Sequence, residues 1–439
     1  MVLKEKPAAS RVDEFMEDYA LAPVPREKRR GWLTLFVEWI GFTAVIGCMY
    51  TGVALGANVP FAEAVRALII GNILLVVMMT LTAYIGAKSG LSTTPLLRFT
   101  AGRFGAALFS LVVAIPSVGW FGMQCGMFGQ AWNAVFPAIP SRLLALIGGL
   151  LMMTTAVVGY RGLAFLSKVA AVPLFVWVIG GFVLTLREIG GWSTLYSYAP
   201  AGSAIPTFGA AISTVFGSWA VGSAIMADLG RYAPEPRPWL LFGIILVGMF
   251  FGHFLLPVAG IAFALWLQTF DFGVIVSHVG MLALNSVVLG AVVVSLAQWT
   301  TNDNNLYSAG LAFNNAIPWV KWKMTLLLGV IGAVAGALGI TDYFTSYLTF
   351  LGQVIPPMGG LLVADYLLLP YLGIQRGFNP TTTPYSTLPP VRWHSIVSWL
   401  VGVLTGLYSP GVAALNGIVA TVVAHCLICL ALERRIGAA

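Results

Sequence analysis

Gln298-Trp299-Thr300-Thr301-Asn302-Asp303-Asn304-Asn305-Leu306-Tyr307-Ser308 is the stretch on which the reading of the fold turns. Nine of its eleven side chains are polar, counting Tyr and leaving out Trp, and they interrupt an otherwise apolar segment that begins near residue 274. The chain around it has 439 residues, 59% hydrophobic and 9% charged, with a mean hydropathy of +0.89. A soluble domain carries about 25% charged residues, so a chain this depleted is an integral membrane protein. Polar side chains at membrane depth do not face acyl chains; they line a cavity or an ion path. At 100° per residue, Ala297, Thr300 and Thr301 share one face. Two hydroxyls one turn beyond a small residue offer hard oxygen ligands suited to a sodium ion. In the competing reading each threonine bonds back to a carbonyl of the preceding turn, and the Asn-Asp-Asn-Asn run is partly the helix's cytoplasmic exit.

Working outward, hydropathy and breakers predict an all-α protein with about twelve spans, near 33–57, 64–87, 105–134, 142–160, 164–186, 204–230, 239–262, 274–309, 324–340, 343–369, 393–410 and 412–432. Residues 1–31 are polar and lack the apolar core of a secretory signal, so they read as a cytoplasmic tail. With that tail inside, twenty of the 23 Lys and Arg fall in the tail and the inner loops, and Arg66, Arg142 and Arg187 alone fall outside. This asymmetry sets the orientation and accounts for the net charge of +7 without a nucleic-acid partner. Cys48, Cys125, Cys426 and Cys429 all lie in apolar runs and make no disulfide framework or metal motif.

Glycine marks the breaks. Span 1 holds Gly41, Gly47, Gly52 and Gly56, and span 6 holds Gly209, Gly217 and Gly222 beside Ser218; each reads as a broken helix lining a cavity. Five spans apart, the two run in opposite directions, as in an inverted repeat of spans 1–5 and 6–10 with two helices appended. The segments are then 32–187, an outer connection at 188–203, 204–370, a cytoplasmic loop at 371–392, and 393–439. Pro356, Pro357, Gly359 and Gly360 predict a kink in span 10. In span 3, Ser117, Trp120 and Gln124 share a face, presenting an aromatic surface flanked by a hydroxyl and an amide. Trp219, at the break in span 6, supplies an opposite face. Glu38 reads as a vestibule salt bridge or a proton carrier, Asp228 and Asp365 as helix-end pairs, and His253 and His278 as structural.

These residues carry a likeness. Met49-Tyr50-Thr51-Gly52, Tyr84-Ile85-Gly86-Ala87-Lys88, Val118-Gly119-Trp120-Phe121-Gly122, Ala227-Asp228, Trp299-Thr300-Thr301-Asn302-Asp303-Asn304, Leu348-Thr349-Phe350-Leu351 and Ile355-Pro356-Pro357 follow one another in the order and spacing of one family. The chain resembles the nucleobase:cation symporter-1 family, and within it the bacterial cytosine permeases. The resemblance implies a leucine-transporter-like fold with substrate between spans 1, 3, 6, 8 and 10. It implies a sodium ion, the coupling cofactor, held by the carbonyls of Gly41, Ala44 and Ala297 and the hydroxyls of Thr300 and Thr301. It places stacking aromatics at Trp120 and Trp219 and an amide at Asn302; Ser218 and Gln353 complete the expected substrate contacts. Departures concern the ring: cytosine permeases have a glutamine at 117, an asparagine at 297 and a phenylalanine at 219, whereas Gln124 and Trp219 match the family's hydantoin carriers.

The expectation is a monomeric sodium symporter of the bacterial inner membrane, with both termini cytoplasmic, importing a neutral planar nucleobase-like ring by alternating access. The alternative is a proton-coupled carrier of a hydantoin, allantoin or hydroxymethylpyrimidine. No HExxH, GxSxG or paired-acid motif points to an enzyme, and no repeated filter sequence points to a channel.

Overall fold

The computed structural model describes residue 19 and residues 22–43, 45–158, 160–202, 204–317, 319, 321–374, 380 and 382–437. Most of the N-terminal tail, the expected sodium ligand Ala44 and residues 375–379 lie outside them. The described residues form helices joined by turns and loops, with no strand among them. The first half comprises α1 (Trp32–Thr43), α2 (Ile46–Gly56), α3 (Phe61–Ser89), α4 (Thr93–Ala101), α5 (Gly105–Val135), α6 (Ser141–Val158), α7 (Tyr160–Glu188) and α8 (Trp192–Ser197). The second comprises α9 (Phe208–Ser218), α10 (Ala220–Ala224), α11 (Ala227–Gly230), α12 (Pro238–Leu267), α13 (Phe272–Leu284), α14 (Val287–Ala316), α15 (Lys321–Ala337), α16 (Phe344–Val354), α17 (Pro356–Val363), α18 (Trp393–Tyr408) and α19 (Ala413–Gly437).

By length and apolarity alone, five of these stretches can each cross a bilayer, or seven when two bent pairs are each taken as one span. Their outer faces are built for lipid. Ile69, Ile73 and Val77 form an exposed stripe on α3, and Leu415, Val419, Val423 and Leu427 form one on α19, four residues apart as one helix face requires. The opposite faces meet through small residues, the usual device where no hydrophobic force pulls helices together. A Cβ at Gly52 would collide with the Pro257 carbonyl, and one at Gly260 with that of Met49, so α2 and α12 touch backbone to backbone. Gly217 and Gly352 do the same for α9 and α16.

The expected breaks are present, and each has a cause. The first span bends by 49° between α1 and α2. Its end is pinned to α12 just ahead of a π-helical turn over Phe250–Leu255 that interrupts the regular ladder. Thr43 donates to Gly248 O (2.9 Å) and Trp39 Nε1 to Ile245 O (3.3 Å). The sixth span breaks at Trp219, the residue between α9 and α10. In the tenth, Ile355 joins α16 to α17 ahead of Pro356 and Pro357, and a second π turn follows over Ala364–Leu368. The segment read as one span at 274–309 is instead two helices, α13 and α14, meeting at 113°. Asn285 adopts a left-handed conformation (φ 52°) that ends α13, and Ser286 caps α14 by accepting from the Leu289 N–H at 3.2 Å. Short helices α4 and α8 occupy stretches that hydropathy left as connections.

Candidate functional site

Two large buried clusters make up the middle of the molecule. One gathers Trp39, Phe99, Phe109 and Phe216, the other Ile46, Met49, Trp177 and Phe263, and Trp120, Trp219 and Tyr347 pack against both. The seam between the clusters is therefore aromatic, and it runs past the broken start of α2. A Cβ at Gly47 would stand 3.5 Å from the Trp120 ring. Trp219 Nε1 donates to Cys48 Sγ at 3.2 Å. The two indoles thus bracket adjacent residues, Gly47 and Cys48, beside the break. Trp120 is steadied edge-on by Phe344 (5.8 Å) and Tyr347 (5.6 Å), and Tyr347 donates its hydroxyl to Pro116 O at 2.6 Å. Trp219 meets Trp39, Phe42 and His253 edge-on at 5.7, 5.6 and 6.2 Å.

The polar residues separate by whether their own fold satisfies them. Ser117 donates to Val113 O (2.9 Å), the back-bond of an ordinary helix. Gln124, one turn past Trp120, is buried with both amide atoms unpartnered. Asn302 directs its amide N–H toward Phe121 O (3.3 Å) and leaves Oδ1 unpartnered. Gln353 lies farther along α16 than Tyr347, its backbone against Gly406 of α18. Ser218 stands 2.7 Å from Val215 O and 2.6 Å from His253 Nε2. His253 Nδ1 faces Asn72 Oδ1 (2.9 Å), while the Asn72 N–H groups go to Leu68 O and His253 O (both 2.9 Å). Asn72 Oδ1 can only accept from the ring, so His253 Nδ1 carries a hydrogen.

For the expected ion site, Thr300 and Thr301 both donate to Ala297 O, at 2.9 and 3.1 Å. The back-bonding reading thus describes this structure, and it also brings three neutral oxygens together. Ala297 is buried in the same cluster as Ile46 and Met49 of α2. Gly41, in the last turn of α1, is exposed. Asp303 points elsewhere, toward α6, where it accepts from Thr155 (2.7 Å), which in turn accepts from Trp299 Nε1 (2.7 Å). Glu38 forms a salt bridge, bonded through both oxygens to Arg30 (2.7 and 2.6 Å). Asp228 accepts from the Thr93 N–H (2.6 Å), and buried Asp365 accepts from Thr100 (2.6 Å) and faces His425. An open depression of about 670 Å³, lined by Gln130, Asn133, Glu188, Asp271 and His278, lies at the ends of α5, α7 and α13, away from both indoles.

Sequence reasoning missed Tyr347 and Gln298. Tyr347 adjoins the quoted Leu348-Thr349-Phe350-Leu351 motif, which was the available signal. Gln298 opens the decisive stretch, where nothing in the local pattern separates it from the other amides.

A membrane-embedded bundle of broken helices around an aromatic seam with unsatisfied amides is the architecture of a small-molecule carrier. Residues 23–432 match the family described as permeases for cytosine/purines, uracil, thiamine and allantoin, and the chain belongs to it. It is 32% identical over 424 residues to the cytosine permease of Escherichia coli K12, covering 96% of each chain. It is 22% identical to the hydantoin permease of Microbacterium maritypicum, covering 91% of this chain and 86% of that one. Its fold is similar to that of Mhp1 in an inward-facing conformation, with a TM-score of 0.81 at 18% identity and coverage of 94% and 93%. It is a multi-pass membrane transporter and not an enzyme.

Proposed function

We propose that the chain carries a neutral planar nitrogen heterocycle, a nucleobase or a relative such as a hydantoin or allantoin, inward with a sodium ion by alternating access. The observation that carries this reading is the bracketing of the α1–α2 break by Trp120 and Trp219 beside the unpartnered amide of Gln124. The ring would stack between the indoles, with Gln124, Ser117, Ser218, Asn302 and Gln353 supplying contacts at its edge. Relatives named for cytosine and for hydantoin support the ring class. Stacking with two or three hydrogen bonds supports an affinity on the order of micromolar.

Sodium would join the carbonyls of Gly41, Ala44 and Ala297 to the hydroxyls of Thr300 and Thr301. Ala297 O already accepts two hydroxyl protons, so the ion would displace those bonds as it binds. One ion touching both helices couples ion to substrate. The arrangement in the inner membrane is twelve spans with both termini cytoplasmic: repeats at 32–187 and 204–370, two helices within 393–439, and the monomer as the unit. The charge asymmetry and the matching breaks in the first and sixth spans support it.

The test is ligand binding by tryptophan fluorescence across cytosine, uracil, purines, hydantoins and allantoin, in sodium and then in potassium. The expected outcome is a ligand that tightens in sodium, with the sodium effect lost in Thr301→Ala and binding in potassium retained. A ligand indifferent to the cation removes sodium from the mechanism.

A further inference from the structure

Gln298 is fully buried in α14, and neither its Nε2 nor its Oε1 has a partner. An unpartnered amide at membrane depth is strongly unfavourable, so a retained one calls for a ligand. Its neighbours define where it points. Ser295, Gln298 and Asn302 share a helix face. Ser295 accepts from Trp132 Nε1 (2.8 Å) and Asn302 reaches Phe121 O, both on α5. The two helices therefore run antiparallel with this face on α5. Gln298 lies at the edge of the face nearest Thr301 and Ala297, on the side of α14 that shares a buried cluster with α2.

On α5, Gln124 occupies the mirrored position, between Trp120, which packs on Gly47 of α2, and Phe121, which meets α14. Both free amides thus stand on the sides of α5 and α14 turned toward α2, between the level where Trp132 meets Ser295 and the level where Phe121 meets Asn302. Each carboxamide offers one acceptor and a donor beside it, the complement of a ring edge in which an N–H adjoins a carbonyl or an imine nitrogen carries a neighbouring amino group.

We propose that Gln298 is a second specificity-determining residue, which with Gln124 reads a cis-amide or amidine edge of a neutral ring stacked on Trp120. The assignment rests on the transport reading above and narrows its substrate class. Cationic rings and rings methylated at the recognised nitrogen are rejected, because they leave a buried acceptor or donor unpaired.

Gln298→Met tests it, since methionine keeps the shape and removes the polar atoms. Removing an amide whose burial is merely structural is neutral or stabilising, so the variant's Tm without ligand should equal or exceed that of the unaltered protein. Its affinity for the ring found in the binding screen should fall at least tenfold. The unaltered protein should discriminate at least tenfold against one N-methylated form of that ring, and the variant should lose most of that discrimination. Unchanged affinity and unchanged discrimination in a folded variant overturn the role of Gln298 alone. If the unaltered protein binds no heterocycle, the transport reading fails and the inference with it. Gln298→Leu provides the same comparison if the methionine variant does not fold.

Discussion

Trp120 and Trp219 are held in different ways. The Trp219 N–H is committed to Cys48, which ties that ring to α2, whereas Trp120 rests on a glycine and the edges of two rings. Trp120→Ala should therefore weaken every ring ligand by about tenfold or more, the loss of one aromatic face, and Trp120→Phe should keep most of the affinity. Isothermal titration on purified protein measures this, and undiminished binding by Trp120→Ala removes the stacking arrangement. The amides make the same point in polar terms. Ser117 and Gln124 share one helix face in the sequence, yet the structure satisfies the first within its own helix and leaves the second open.

Among elements, the α2–α12 contact decides how the broken span is held. Gly52, Gly56 and Gly260 leave no room for a Cβ against the facing backbone, whereas Gly243, on the same α12, has nothing near it. Gly52→Val should cost about 1–3 kcal/mol by overpacking, seen as a lower Tm in detergent, while Gly243→Ala should be close to neutral. Equal Tm values for the two would mean that α2 and α12 do not touch as described. Hydropathy found α2 and α12 because both are continuous apolar runs. It merged α13 with α14 because Asn285-Ser286 is too short a polar signal to survive averaging, although both residues favour a helix end.

Across the whole molecule, the chain before α1 is fastened to the ends of distant helices. The Arg30 N–H donates to Tyr232 O (2.8 Å), its guanidinium lies 4.4 Å from the Tyr232 ring, and the Arg29 guanidinium reaches Ala87 O (3.1 Å). Glu38 is part of this fastening through Arg30, and both partners are about a third exposed, so the pair contributes no more than about 1 kcal/mol. Glu38→Gln should leave the pH profile of substrate uptake unchanged, measured in proteoliposomes with sodium held constant. A profile flattened by that substitution would make Glu38 a proton carrier after all.

What the sequence by itself determined follows from local patterns: residence in the membrane, the glycine-rich breaks, the shared face of Ala297, Thr300 and Thr301, and the family. The first three depend on composition or on spacing within one helix, and the family on motifs in order along the chain, none of which folding changes. What only the tertiary structure decided is which polar groups find partners. Glu38 pairs with Arg30, Asp303 turns to Thr155, and His253 is locked between Asn72 and Ser218, while Gln124 and Gln298 are left open on one seam. Partners come from helices distant in the chain, and burial makes each pairing or its absence energetically decisive, so no single segment's sequence contains the answer.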